Sequence, residues 1–322
     1  MQIETVGGNL NRAECVLAHK SGTFICSDST ESGGVAVIKP GGDVRRILSN
    51  GPILHPNGIA VMPDGTFLVA HLGSEYGGVY RLYSDGSVEP FLTELDGERL
   101  PPTNFVRIDH LRRVWITIST RLRPRDRAYR PDILDGYVIR VDARGARVAA
   151  DNLGYTNECV IDEARDLFYI NETFNRRITQ YRLGADGTLK DRNVFAQFGR
   201  GTFPDGLTLD EDGGLWMTSV ISNAVIHIDP KGRIETLIWN GDETIIAEAE
   251  KAFAANSLTI GHITQASTSG WGNLSSLAFC GNDLQDAVLG SLGGSQLLKI
   301  RMPIRGQKLP HWEFALEALL HP

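Results

Sequence analysis

The sequence predicts an all-β fold: a six-bladed β-propeller with four-stranded antiparallel blades, read as a single domain over residues 1–322. Three observations carry that prediction. Six segments of the chain superpose on one another, each is followed by the same series of strands and turns, and an orphan strand at the amino end matches a strand missing at the carboxyl end.

The six segments are Glu14-Cys15-Val16-Leu17-Ala18, Asn57-Gly58-Ile59-Ala60-Val61, Asn104-Phe105-Val106-Arg107-Ile108, Asn157-Glu158-Cys159-Val160-Ile161, Asp205-Gly206-Leu207-Thr208-Leu209 and Ser275-Ser276-Leu277-Ala278-Phe279. Their first residues are 43 to 53 positions apart except for the last interval, which is 70. Each opens with an oxygen-bearing side chain and runs into an apolar strand. A turn and a second apolar strand follow, as in Pro63-Asp64-Gly65 before Thr66-Phe67-Leu68-Val69-Ala70, which is a hairpin signature. A third strand (Tyr137-Val138-Ile139-Arg140-Val141 in the third unit) and a short polar fourth strand complete each unit. The sixth unit lacks a clear fourth strand after Gln296-Leu297-Leu298-Lys299-Ile300, and Gln2-Ile3-Glu4-Thr5-Val6 is free to pair there and close the ring.

Two insertions interrupt the repeat, at about 119–135 and 241–273. The first carries the basic run Arg121, Arg123, Arg125, Arg127 and Arg130, which can attract an anionic substrate. The second contains a helix-like stretch rich in Ala and Glu, Asp242 to Phe253. Both are expected on the face where the first strands begin, as a lid or rim.

Composition narrows the function. A hydrophobic fraction of 42% with 22% charged residues is that of an ordinary soluble protein, and a formal net charge of -7 gives no electrostatic footprint for nucleic acid. No stretch reaches the length of a membrane span and the amino end has no leader pattern, so no membrane association is expected and the location is read as cytoplasmic. Cys15, Cys26, Cys159 and Cys280 show no C-x-x-C spacing and are expected as buried free thiols. There is no G-x-S-x-G elbow, phosphate-binding loop or H-E-x-x-H, which argues against serine hydrolase, nucleotide-binding and zincin chemistry.

In a propeller the first strand of each blade lines the central channel, so the opening residues Glu14, Asn57, Asn104, Asn157, Asp205 and Ser275 form a ring at one mouth. Polar residues begin strands in many folds because turns favour them. Six in register are another matter, since two carboxylates converging on a narrow axis repel each other and either raise a pKa or recruit a cation. Oxygen donors without His or Cys suit one divalent hard cation, calcium first, with magnesium, manganese or zinc as lesser fits. Water or substrate would complete the shell. His55, just before Asn57, and His71 are within reach of the mouth as proton carriers.

The chain resembles the SMP-30/gluconolactonase/luciferin-regenerating-enzyme-like family, the group that includes regucalcin. The resemblance covers nearly the whole chain and rests on Phe203-Pro204-Asp205-Gly206-Leu207 through Leu215-Trp216, Tyr155-Thr156-Asn157-Glu158-Cys159, Pro102-Thr103-Asn104, Ala13-Glu14-Cys15 and Ser275-Ser276-Leu277-Ala278-Phe279. It implies a metal-dependent hydrolase, a lactonase opening a sugar or other small lactone. Glu14, Asn157 and Asp205 are implied as the metal ligands, Asp205 also as the catalytic carboxylate, and Asn104 as a contact to substrate. Asn57, Ser275 and His55 complete the expected substrate-binding set. The chain departs from its relatives at Asn104-Phe105 and Asn157-Glu158, where they carry Asn-Asp and Asn-Gly, and at Pro102, where sugar-lactone enzymes carry Arg. The alternatives are a phosphotriesterase like diisopropyl fluorophosphatase and a non-catalytic metal-binding propeller. The expected partner is a small-molecule substrate, and the expected state a monomer or weak homo-oligomer.

Overall fold

The computed structural model describes residues 2–316. Six four-stranded antiparallel sheets stand around a central axis as the blades of a propeller. Their innermost strands are Val16–Ala18, Pro56–Val61, Thr103–Ile108, Thr156–Asp162, Pro204–Leu209 and Leu274–Cys280. The sixth blade takes its outer strand from the amino end: Ile3–Val6 pairs antiparallel with Leu297–Arg301, Ile3 opposite Ile300 and Val6 opposite Leu297. One blade is thus built from both ends of the described chain, which joins them through a ladder rather than through side-chain packing alone.

Each blade is sandwiched between two others, so its inner strands are buried on both faces and lose the polar alternation of a half-exposed strand. In Gly34–Ile38 and Val114–Ile118 every residue is buried, whereas the outer strand Gly145–Leu153 is mostly exposed or half-buried. Buried aspartates end several inner strands. Asp109 and Asp210 each accept a hydrogen bond from the indole of the tryptophan six positions on, Trp115 at 2.9 Å and Trp216 at 3.0 Å. A buried carboxylate is tolerated because these donors, together with the backbone N–H of Arg113 and of Gly214, saturate it.

The two insertions pack together. Ala128 and Tyr129 from the first share an apolar cluster with Ile246, Ala249, Ala252, Leu258 and Ile263 from the second, and with Tyr155, Phe174 and Phe203 of the blades. The second insertion holds helix α1 (Glu243–Ala254), whose N-cap Asp242 accepts from the N–H groups of Thr244 and Ile245, and the short helix α2 (Ile260–Gln265). Arg176 fastens α1 to blade 4 by stacking at 4.3 Å over both Phe203 and Phe253 while pairing with Glu250 at 2.7 Å. At the far ends of the inner strands, Pro310, His311 and Phe314 lie against Leu17, Val61 and Ile108. All four cysteines are free and buried, and among the described residues no helix is long and apolar enough to cross a membrane.

Candidate metal centre

Five of the six inner strands share an irregularity at their start. Between Pro56 and Ile59, Thr103 and Phe105, Thr156 and Cys159, Pro204 and Leu207, and Leu274 and Ser276, the inner strand carries one residue more than its partner. The ring residues Asn57, Asn104, Asn157, Asp205 and Ser275 all lie within these bulges. A bulge releases a side chain from strict alternation and turns it, which is what aiming an inner-strand side chain along the axis requires.

Crowding at the axis also explains the glycine that comes directly after Asn57 and after Asp205. A Cβ on Gly206 would sit 2.6 Å from Ser276 Cα and 2.7 Å from Ser275 O, and one on Gly58 would sit 2.6 Å from Phe105 Cα. Both obstacles include backbone of the next blade, which cannot swing aside. Gly206→Ala is therefore expected to lower stability by about 1 to 3 kcal/mol, the usual range for overpacking, and to displace Asp205. Thermal melting together with calcium titration of the variant would check it; unchanged metal affinity would show that Asp205 does not depend on this contact.

Glu14, Asn57, Asn104, Asn157 and Asp205 line one cavity of about 60 Å³, with Arg12, Arg125, Tyr129, Tyr155 and Thr173 among the other walls. Ser275 does not line it: its hydroxyl donates to the Glu14 carbonyl at 2.8 Å and so supports Glu14 from behind. His55 lines instead an outer chamber of about 510 Å³ that shares Arg12, Arg125, Ile260 and Leu292 with the inner cavity. Its backbone N–H donates to His71 Nδ1 at 2.8 Å, and burial together with His55 pushes the His71 imidazole down to about 4, so His71 is neutral at ordinary pH.

The polar network holds each oxygen in place. Arg12 donates through Nη2 to Asn57 Oδ1 at 2.8 Å; Asn57 Nδ2 then donates to Glu14 Oε1 at 2.7 Å and to the Asn104 carbonyl at 3.0 Å. Asn157 Nδ2 donates to Thr173 Oγ1 at 3.2 Å, which in turn donates to the Pro204 carbonyl at 2.7 Å. Asn171 Nδ2 donates to the Asp205 carbonyl at 2.7 Å.

After those bonds are made, Glu14 Oε2, Asn157 Oδ1 and Asp205 Oδ1 remain buried without any hydrogen-bond partner. Among the described residues lining this cavity, no other residue has such an atom. Orphaned buried acceptors are costly and call for an ion or water. Electrostatics say the same. Burial pushes Glu14 up to about 7 against the pull of Arg12, Arg125 and the Asn57 hydrogen bond. Burial, then the charges of Glu14 and Glu158, hold Asp205 well above the usual carboxylate range. Glu158, directly after Asn157, is raised to about 8 by burial despite Arg107, with Glu14 adding to the rise.

Two carboxylates and an amide, each with an open oxygen, fit a hard divalent cation completed by water or substrate. Among the described residues no group of three or more His, Cys, Asp and Glu is gathered to hold a metal ion, so the candidate set has only two acids and relies on an amide for its third oxygen.

A family model described as the SMP-30/Gluconolactonase/LRE-like region matches residues 13–246. The chain belongs to that family. Over 176 residues the chain is 26% identical to the Bacillus subtilis protein named "Putative sugar lactone lactonase YvrE", spanning about half the length of each, 53% of both. The fold is similar to that of a gluconolactonase of Xanthomonas campestris, with a TM-score of 0.68 and 20% identity over 94% of this chain and 89% of that one. It is similar also to regucalcin of Agrobacterium tumefaciens, described as a calcium-binding protein, with a TM-score of 0.69 and 16% identity over 96% and 97%.

Three wall residues escaped the repeat. Arg12 precedes the first repeated segment, Arg125 comes from the basic insertion, and Thr173 lies just past a second strand; none occupies the ring position. Glu158 stood out only as a departure from its relatives.

Proposed function

We propose that this family member is a metal-dependent lactonase whose divalent ion, calcium first, is held by Glu14, Asn157 and Asp205. The observation that carries the reading is the set of three buried, partnerless oxygens on residues that line one cavity. The relative named as a sugar lactone lactonase supports it. When bound, the ion supplies Lewis-acid polarisation of the lactone carbonyl and compensates its developing negative charge.

The chain's own residues do the rest. Asp205 positions an attacking water and draws its proton as the new C–O bond forms; the ring C–O bond breaks, and the departing alkoxide recovers a proton to give a hydroxy acid. A carboxylate shared with a cation is a weak base, so positioning is its larger contribution. Asn104 accepts from Asn57 through its carbonyl, and its amide N–H groups make no hydrogen bond among the described residues, which leaves them for a substrate oxygen. Asn57 and Ser275 act at one remove, by fixing Glu14. His55, on the outer chamber, meets substrate on its way in. At about 510 Å³ that chamber falls within the usual range for small-molecule sites. Four free buried thiols accord with a reducing, cytoplasmic setting.

The test is hydrolysis of glucono-1,5-lactone and of simple γ-lactones by protein stripped with a chelator and then reloaded. Turnover is expected to vanish on stripping and to return with calcium. Undiminished turnover at zero metal content would refute the metal assignment. Tight calcium binding with no turnover of any lactone, aryl ester or fluorophosphate would replace the lactonase with a non-catalytic propeller, and turnover of the fluorophosphate alone with a phosphotriesterase.

A further inference from the structure

Charge balance in the inner cavity points to the kind of lactone it takes. The charged side chains lining it are two acids, Glu14 and Asp205, and two guanidinium groups, Arg12 and Arg125. With both acids ionised, these four balance. With a dication on the two acids, both guanidinium charges are left uncompensated in a partly desolvated space, which is unfavourable unless an anion joins them.

Arg125 is well placed to meet it. It sits in the 3-10 turn Arg125–Ala128 of the first insertion and lines both the inner cavity and the outer chamber. Its guanidinium makes no hydrogen bond or close ion pair among the described residues. Burial disfavours its charge, but nearby Tyr155, Tyr129, Glu14 and Asp205 outweigh this and raise its pKa, so it stays protonated. Arg12 also lines both spaces, and its two protein acceptors, Pro56 O and Asn57 Oδ1, leave part of its five-donor fork unused.

The uncharged lining is mixed: Phe174, Val220, Ile260, Ile263 and Leu292 are apolar, whereas Asn104 and the other polar groups of the ring lie beside them. The apolar part can cover a lactone ring, and discrimination between substrates falls to the charged groups.

Building on the lactonase reading, we propose that Arg125 and Arg12 are specificity-determining residues that recognise a carboxylate on the substrate, and that the substrate is an anionic lactone. The carboxylate spans the gap between the guanidinium groups while the apolar walls cover the ring. Hydrolysis then yields a hydroxy dicarboxylate, and the reaction that consumes it must accept two carboxylates.

A matched pair tests this directly. 5-Oxotetrahydrofuran-2-carboxylate and γ-valerolactone differ only in a carboxylate against a methyl group. The calcium-loaded full chain is expected to favour the acid by about 100-fold in kcat/KM, mainly through KM, as for a charge-assisted bidentate contact. Glucono-1,5-lactone should rank below the acid. Arg125→Met should remove at least about tenfold of the preference and Arg125→Lys less, with added salt weakening what remains. In calorimetry, 2-hydroxyglutarate, the ring-opened acid, should bind the calcium-loaded protein more tightly than the metal-free protein.

Equal kcat/KM on the acid and its methyl analogue would overturn the proposal and leave the lactonase standing. Turnover of no lactone would instead sink the lactonase reading. Calorimetry with 2-hydroxyglutarate would then decide the guanidinium pair alone: binding lost in Arg125→Met supports it, and no binding to wild type overturns it.

Discussion

Asp205→Asn is expected to reduce lactone turnover by about a thousandfold or more, because one substitution removes both a metal-binding charge and the group that positions water. Asparagine is nearly isosteric, so the bulge at Pro204 to Leu207, the hydrogen bond from Asn171 to the Asp205 carbonyl, and the fit of Gly206 against Ser276 should all survive. The metal-free variant should in fact melt higher than metal-free wild type, since a buried carboxylate held well above its usual range is itself destabilising once ionised. Metal content, kcat on a γ-lactone and melting temperature, measured together, separate this from simple misfolding. A variant that keeps both its metal and its turnover would remove Asp205 from the site.

The second large effect is a reversal of pH dependence by metal. In the metal-free protein Glu14 titrates at about 7 and Glu158 at about 8, both above an unfolded glutamate. A raised carboxyl pKa means that folding takes up a proton, so its stabilising effect is complete below the unfolded value and is lost as pH rises through the folded one. Metal-free protein is therefore expected to melt progressively lower between about pH 5 and about pH 8. A bound dication competes with the proton on Glu14, and its stabilisation should grow over the same interval. The gap in melting temperature between calcium-loaded and stripped protein should accordingly widen with pH. Glu14→Gln should lower calcium affinity by at least about a hundredfold and abolish the Glu14 part of the slope, leaving those of Asp205 and Glu158. A stripped protein whose melting temperature rises over that interval would contradict the assignment of burial as the dominant influence on these carboxyls.

Much of the site's polar floor was legible in the repeat alone. Its leading residues Glu14, Asn57, Asn104, Asn157 and Asp205 do share one cavity. The strand Ile3–Val6 does close the sixth blade. The helix-like stretch from Asp242 does form α1. Ser275 holds the same repeat position yet lines no part of that cavity, because the Glu14 carbonyl offered its hydroxyl an acceptor nearer than the axis. Spacing does not encode such local competition for hydrogen bonds.

Residue order was enough to establish the periodic features: the number of blades, the polar residue at or just before the start of each inner strand, and the excess of carboxylate oxygen near the axis. These are legible because a repeated strand pattern is enforced by backbone pairing, which has a fixed period wherever it occurs. Three-dimensional packing was needed to bring Arg12 and Arg125 into the cavity of those carboxylates, to set Tyr129 against Tyr155 and Phe174 as one wall, and to place Ile260 and Ile263 as another. Those contacts join the insertions to the blades through side-chain packing, which depends on shape and burial and leaves no period along the chain.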